Sequence, residues 1–110
     1  MGFLSMENEE APGNLGLRDQ ALALQWVKNE SANFCGNAEK ITIFGSGSGG
    51  TAVLSQMMSP INAGKRLFQS VIAQSGSPVR NPVFEIGDRK KAALKLAKDV
   101  GCKNEKVLRN

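Results

Sequence analysis

The stretch Ile41-Thr42-Ile43-Phe44-Gly45-Ser46-Gly47-Ser48-Gly49-Gly50 decides how this chain is read. Apolar and β-branched residues at 41–44 suit a buried strand, and glycines alternate with serines in the six positions that follow. Ala52-Val53-Leu54 comes next, so apolar sequence flanks the glycines on both sides. A flexible linker, the ordinary reading of a Gly-Ser run, does not fit between two such segments. The pattern predicts a strand over 41–44 that turns at once into a helix over about 49–58. That turn brings two backbones together, and small residues at Gly45 and Gly49 relieve the contact. A dinucleotide-binding G-x-G-x-x-G is also matched, by Gly45, Gly47 and Gly50. It calls for an acidic ribose ligand roughly 20 residues on. Ser70-Val71-Ile72-Ala73-Gln74-Ser75-Gly76 stands there instead, and the nearest later acid, Glu85, is too far away. The nucleotide reading therefore ranks second.

A strand-to-helix turn of the form G-x-S-x-G is the nucleophile elbow of α/β-hydrolases, in which the central serine is thrust above the sheet. Gly45 and Gly49 occupy the outer positions here, and Gly47 occupies the centre. Glycine has no side chain to attack an ester, so the elbow looks built and disarmed. The tip of such a turn is held at positive φ, at a cost to serine of about 1–3 kcal/mol. Glycine removes most of that strain, so the replacement favours folding while ending hydrolysis.

The surrounding sequence carries a wider resemblance. Gly2-Phe3-Leu4-Ser5, Ala11-Pro12-Gly13-Asn14-Leu15-Gly16-Leu17-Arg18-Asp19-Gln20 and Ala23-Leu24-Gln25-Trp26-Val27 precede the turn. Leu67-Phe68-Gln69-Ser70-Val71-Ile72-Ala73-Gln74-Ser75-Gly76-Ser77 and Val100-Gly101-Cys102 follow it. In register and without large gaps, these blocks resemble type-B carboxylesterases and cholinesterases. The family elbow usually reads Gly-Glu-Ser-Ala-Gly-Gly. Here Ser46 replaces the glutamate, Gly47 the nucleophile and Ser48 the alanine. At this point the chain is most similar to the non-catalytic neural adhesion members, neuroligins and their like, which carry Gly-Ser-Gly-Ala-Gly. Phe34-Cys35-Gly36-Asn37-Ala38 stands where the family has Phe-Gly-Gly-Asp-Pro, and Ser31 where it has a buried isoleucine.

The resemblance implies a partial α/β-hydrolase fold, with residues 1–110 an internal fragment of a domain several times longer. It places the family's oxyanion loop before residue 1 and its triad acid after residue 110. Only the backbone N–H of Ser48 remains as half of an oxyanion hole. The sequence contains no histidine, so no Ser-His-acid arrangement forms within it. The leading expectation is a catalytically inactive carboxylesterase-like protein or fragment whose full-length fold serves binding or adhesion to a protein partner. The alternative is a serine esterase whose remaining catalytic parts lie outside this segment. A displaced nucleophile at Ser48 would need a one-residue slip that misplaces the strand's faces. A mispredicted or pseudogene-like fragment without independent function is the third possibility. No cofactor or metal is expected. By resemblance, the parent protein is secreted or at the cell surface.

The composition narrows the remaining classes. The net charge is +4, from 14 Lys and Arg against 10 Asp and Glu. The excess lies at Arg89, Lys90, Lys91, Lys95, Lys98, Lys103, Lys106 and Arg109. With few aromatics nearby, these form a solvated helix face and no nucleic-acid surface. No apolar run is long enough to span a membrane, and the first residues lack the pattern of a signal peptide. Asn29-Glu30-Ser31 is a glycosylation sequon, of use only in a secreted parent. Cys102 stands where the family has one end of a disulfide, but Val107-Leu108-Arg109 replaces the Cys-Leu-Arg that holds the other. Two free thiols are expected at Cys35 and Cys102, ahead of a 35–102 bridge.

Residues 1–5 read as the end of a strand and 6–14 as a loop. Asn14 is a candidate helix N-cap, followed by Leu17, Ala21, Leu24 and Val27 at helical spacing, with Leu22 and Trp26 widening the stripe for a sheet. Strand 41–44, helix 49–58 and strand 70–74 make one parallel, right-handed βαβ unit, closed off by Pro60. Asp88 opens a last helix in which Ala93, Leu96, Ala97 and Val100 face one way and Gly101 ends it. The fold class is thus α/β, one βαβ unit around the elbow with flanking helices. Its small parallel sheet is only partly covered, so the isolated chain is expected to be marginally stable.

Overall fold

A computed structural model describes residues 2–79 and 89–102 of the chain. It divides into two compact units, one of residues 17–84 and the other of residues 1–16 with 85–110.

The first of these contains the βαβ unit. Strand β1, Thr42–Ser46, leads through Gly47 into helix α2, Ser48–Met58, and the chain returns as strand β2, Ser70–Gln74. The strands pair in parallel, with Thr42 opposite Ser70, Phe44 opposite Ile72 and Ser46 opposite Gln74. Gln69 extends the pairing, its amide donating to the Ile41 carbonyl while its side-chain oxygen accepts from the Ile41 amide at 2.7 Å. Helix α2 covers the face that carries Ile43, Gly45 and Val71. On the opposite face Phe44 is 75% exposed and its cross-strand neighbour Ile72 53%. A parallel strand pair normally has cover on both faces, and among the described residues this one has it on a single face.

Helix α1 runs over Leu15–Glu30. Ala21 is buried and Leu17 and Leu24 are partly so, but Leu22 and Trp26 project into solvent. The expectation that these two widen a stripe against the sheet is not met. Helix α1 is tied to α2, and the tie is polar. The amide of buried Gln56 donates to the Leu17 carbonyl at 2.7 Å and to Gln20 Oε1 at 3.2 Å. Asn62, in the 3₁₀ turn Pro60–Asn62, donates to the carbonyl and side-chain oxygens of Gln56, both at 2.8 Å. Lys28 Nζ also reaches the Arg66 carbonyl at 2.5 Å, with Glu39 3.9 Å away. After α1 comes a second 3₁₀ turn, Ser31–Phe34, ended by Cys35 in the left-handed region at φ 58°.

In the other unit, Met6, Ala93 and Ala97 form a small apolar core with Leu4, Ala11 and Cys102 against it. Among the described residues of the expected strand end at 1–5, no strand forms; Ser5 makes an isolated antiparallel bridge with Pro12. Asn14 adopts a left-handed φ of 57°, unlike the extended backbone of an N-cap. The Gly16 amide at the start of α1 is satisfied by the Gly2 carbonyl at 2.7 Å. Helix α3, Arg89–Asp99, buries Ala93 and Ala97, whereas Leu96 and Val100 are exposed, so only half of its expected stripe is internal. Gly101, at φ 76°, ends it as expected. The Cys102 amide returns to the Ala97 carbonyl and the Gly101 amide to that of Lys98, the paired bonds of a Schellman motif. Asp88, Lys103, Lys106, Val107-Leu108-Arg109 and Glu85 lie outside the described residues.

Candidate functional site

The turn between β1 and α2 is built by glycines with different jobs. Gly47 has φ 57° and ψ −121°, a backbone that L-residues rarely adopt, so the positive φ expected at the tip is present. A Cβ on Gly47 would meet nothing within 4 Å. Gly45 is under the opposite constraint, because its Cβ would overlap the Gly49 carbonyl and lie 3.0 Å from the Gly49 Cα. A Cβ on Gly49 would point into open space. The expectation that both 45 and 49 must be small is thus corrected: the close approach is one-sided. Gly50 is buried, and its Cβ would fall 2.8 Å from the Gln74 carbonyl oxygen.

Gln74 and Gly76 complete the turn from the β2 side. The Gly47 amide donates to the Gln74 carbonyl at 2.9 Å, which pins the tip to the end of the second strand. The Cβ of any other residue at Gly76 would overlap the Gly47 carbonyl and lie 2.6 Å from the Thr51 nitrogen. Between them Ser75 turns the chain at φ 50°. Spacing alone marks Gln74-Ser75-Gly76 by its lack of an acid and by its place in the Leu67–Ser77 block, and neither feature points to this contact. A Gln-Ser-Gly ending a strand, opposite a glycine turn, was the available signal for this contact.

Helix α2 begins without a side-chain cap. Its first satisfied amide is that of Thr51, which donates to the Gly47 carbonyl at 3.1 Å. The N–H groups of Ser48, Gly49 and Gly50 precede it and have no intrahelical acceptor. They form the positive end of the helix, where negative charge is favoured. The Ser48 N–H thus stands at the helix N-terminus beside the tip. Ser46 and Ser48 are exposed on either side, and Thr51 Oγ1 is buried without a partner among the described residues.

No metal-binding group of His, Cys, Asp and Glu occurs among the described residues, and none of their helices is long and apolar enough to cross a membrane. Asn29 is exposed at the end of α1, in the same unit as the turn but on another element. Cys35 and Cys102 are free thiols. Lys90, Lys91, Lys95 and Lys98 are all exposed along α3.

Comparison with known proteins gives this arrangement its setting. Residues 1–109 match the model of the carboxylesterase family. The chain is 43% identical over 107 residues to Cholinesterase 2 of Branchiostoma lanceolatum, an alignment covering 96% of this chain and 31% of that protein. It is 41% identical over 111 residues to Bile salt-activated lipase of Mus musculus, covering 96% and 17%. With Acetylcholinesterase-1 of Trittame loki it shares 41% identity over 104 residues, covering 94% and 18%. The chain spans less than a third of the length of each of these relatives.

Proposed function

The chain belongs to the carboxylesterase family, whose fold is that of α/β-hydrolases, and from that premise we propose a catalytically inactive, cholinesterase-like segment of a longer domain. Its elbow holds Gly47 where a nucleophile would stand. The observation that carries this reading is the pairing of a positive-φ tip with a missing side chain. Gly47 has the positive φ of an elbow tip, and the turn around it is fixed by Gly45, Gly50, Gln74 and Gly76. The helix N-terminus offers Ser48 N–H to developing negative charge, yet no side chain at 47 delivers an attack. These 110 residues contain no histidine, so no Ser-His-acid arrangement forms within the segment itself. A scaffold of this kind serves recognition, with the full-length domain presenting a binding or adhesion surface to a protein partner.

Incubation of the chain with a serine-directed fluorophosphonate and a short-chain nitrophenyl ester tests the proposal. Background labelling and background hydrolysis are expected. Stoichiometric labelling at Ser48 would overturn it.

A further inference from the structure

We propose that Asn29 is an N-glycosylation acceptor, and that the first sugar of its glycan covers the exposed aromatic pair Trp26 and Phe34. Asn29-Glu30-Ser31 is an acceptor triplet without proline at its centre. It lies where α1 ends and the Ser31–Phe34 turn begins, and helix ends of this kind open more readily than helix interiors. Asn29 is exposed. Its Oδ1 accepts from Gln25 Nε2 at 3.0 Å, which leaves Nδ2, the atom that takes the sugar, without a partner among the described residues. Glycosylation retains that hydrogen bond, because the amide oxygen is unchanged. Nearby Asn33 differs, since its Nδ2 donates to Glu30 Oε2 at 2.7 Å.

The second observation is independent of the triplet. Trp26 is 57% exposed and Phe34 72%, and their ring centroids lie 6.1 Å apart at an interplanar angle of 50°. Trp26 and Asn29 are three residues apart on one helix, so their Cβ atoms are about 5–6 Å apart on the same surface. Two adjoining exposed aromatic rings form an apolar patch that gains from being covered. The C–H face of a pyranose anchored at Asn29 is the group within reach.

The chemistry is a group transfer from an oligosaccharide carried on a polyprenyl pyrophosphate. Asn29 Nδ2 forms a bond to the anomeric carbon of the first N-acetylglucosamine, and the bond from that carbon to the pyrophosphate oxygen breaks. The lipid pyrophosphate leaves with the electron pair, and Nδ2 releases one proton. The proposal requires entry into the secretory membrane system and is independent of whether the elbow is catalytic.

The full chain, translated behind a cleavable signal sequence with secretory-membrane vesicles, tests the acceptor. The wild type and Asn33→Gln should gain one glycan that a peptide-N-glycosidase removes, leaving aspartate at position 29. Asn29→Gln and Ser31→Ala should lose it, and Ser31→Thr should retain it. Transfer precedes folding, so a poorly folding variant still reports. Wild-type chain protected inside the vesicles but unmodified would overturn the proposal, as would a glycan that persists in Asn29→Gln. The sequence has one tryptophan, so fluorescence reports on Trp26 alone. Chain trimmed to the first sugar should show blue-shifted emission and weaker acrylamide quenching than chain stripped completely. Equal quenching of the two would overturn the covering of the aromatic pair.

Discussion

Gly45 lies directly against the backbone of Gly49, so closely that a methyl group on Gly45 would overlap the Gly49 carbonyl, whereas one on Gly49 would touch nothing. The two glycines that frame the turn are therefore unequal. Gly45→Ala must push strand and helix apart, at a cost of about 3 kcal/mol by overpacking. Gly49→Ala fills open space in a helix and should stabilise by about 0.5–1 kcal/mol. Urea unfolding of the full chain followed by circular dichroism distinguishes them; equal losses would refute the one-sided contact.

Gly47→Ser tests the tip. The space is open, so the expected cost is backbone strain alone, about 1 kcal/mol. No esterase activity should appear in this chain, since serine without a base is a weak nucleophile. A loss of 3 kcal/mol or more would show a steric clash, which the geometry does not contain.

Gln56 joins α1, α2 and the turn at Asn62 through four hydrogen bonds. Gln56→Leu keeps the volume but removes the bonds to the Leu17 carbonyl and Gln20 and one of the two from Asn62. A loss of about 2 kcal/mol is expected from those lost bonds. Gln56→Glu keeps the acceptor and loses the donor, so the bonds to the Leu17 carbonyl and Gln20 Oε1 should fail while those from Asn62 remain. Hydrogen exchange in the first turns of α1 would read that local opening.

Cys35 sits at φ 58°, a conformation that asparagine and glycine adopt far more readily than cysteine. Its amide and that of Gly36 close the preceding turn on the Ala32 and Ser31 carbonyls. Cys35→Gly should keep both bonds, relieve the strain and stabilise by about 1 kcal/mol in thermal unfolding. A lower melting temperature would refute the strain. In the parent chain the Cys35 thiol should react rapidly with a disulfide reagent under native conditions, being exposed and unpaired.

The elements that local chemistry determines were legible in the sequence. Strand residues at 41–44, the glycine turn and the helix after it follow from residue type and spacing, and so does the stop at Gly101. β1 runs to Ser46 because pairing with Gln74 carries it beyond the apolar run. What periodicity did not reveal was which face each helix buries. Leu22 and Trp26 continue the apolar stripe of α1, yet the contact that holds α1 is the polar side chain of Gln56. A buried glutamine has no hydrophobic signature and is recognised only through its partners. Gly76 was equally hidden, because its constraint comes from the Gly47 carbonyl across the turn.

The open space around Gly47 bears on how such a turn can evolve. Position 47 can exchange glycine for a small side chain without any neighbouring residue changing in step, because only a dihedral preference opposes the exchange. Gly45, Gly50 and Gly76 have no such latitude. Drift at the tip is therefore uncoupled from drift in its frame, and position 47 can vary while selection on the scaffold continues undisturbed.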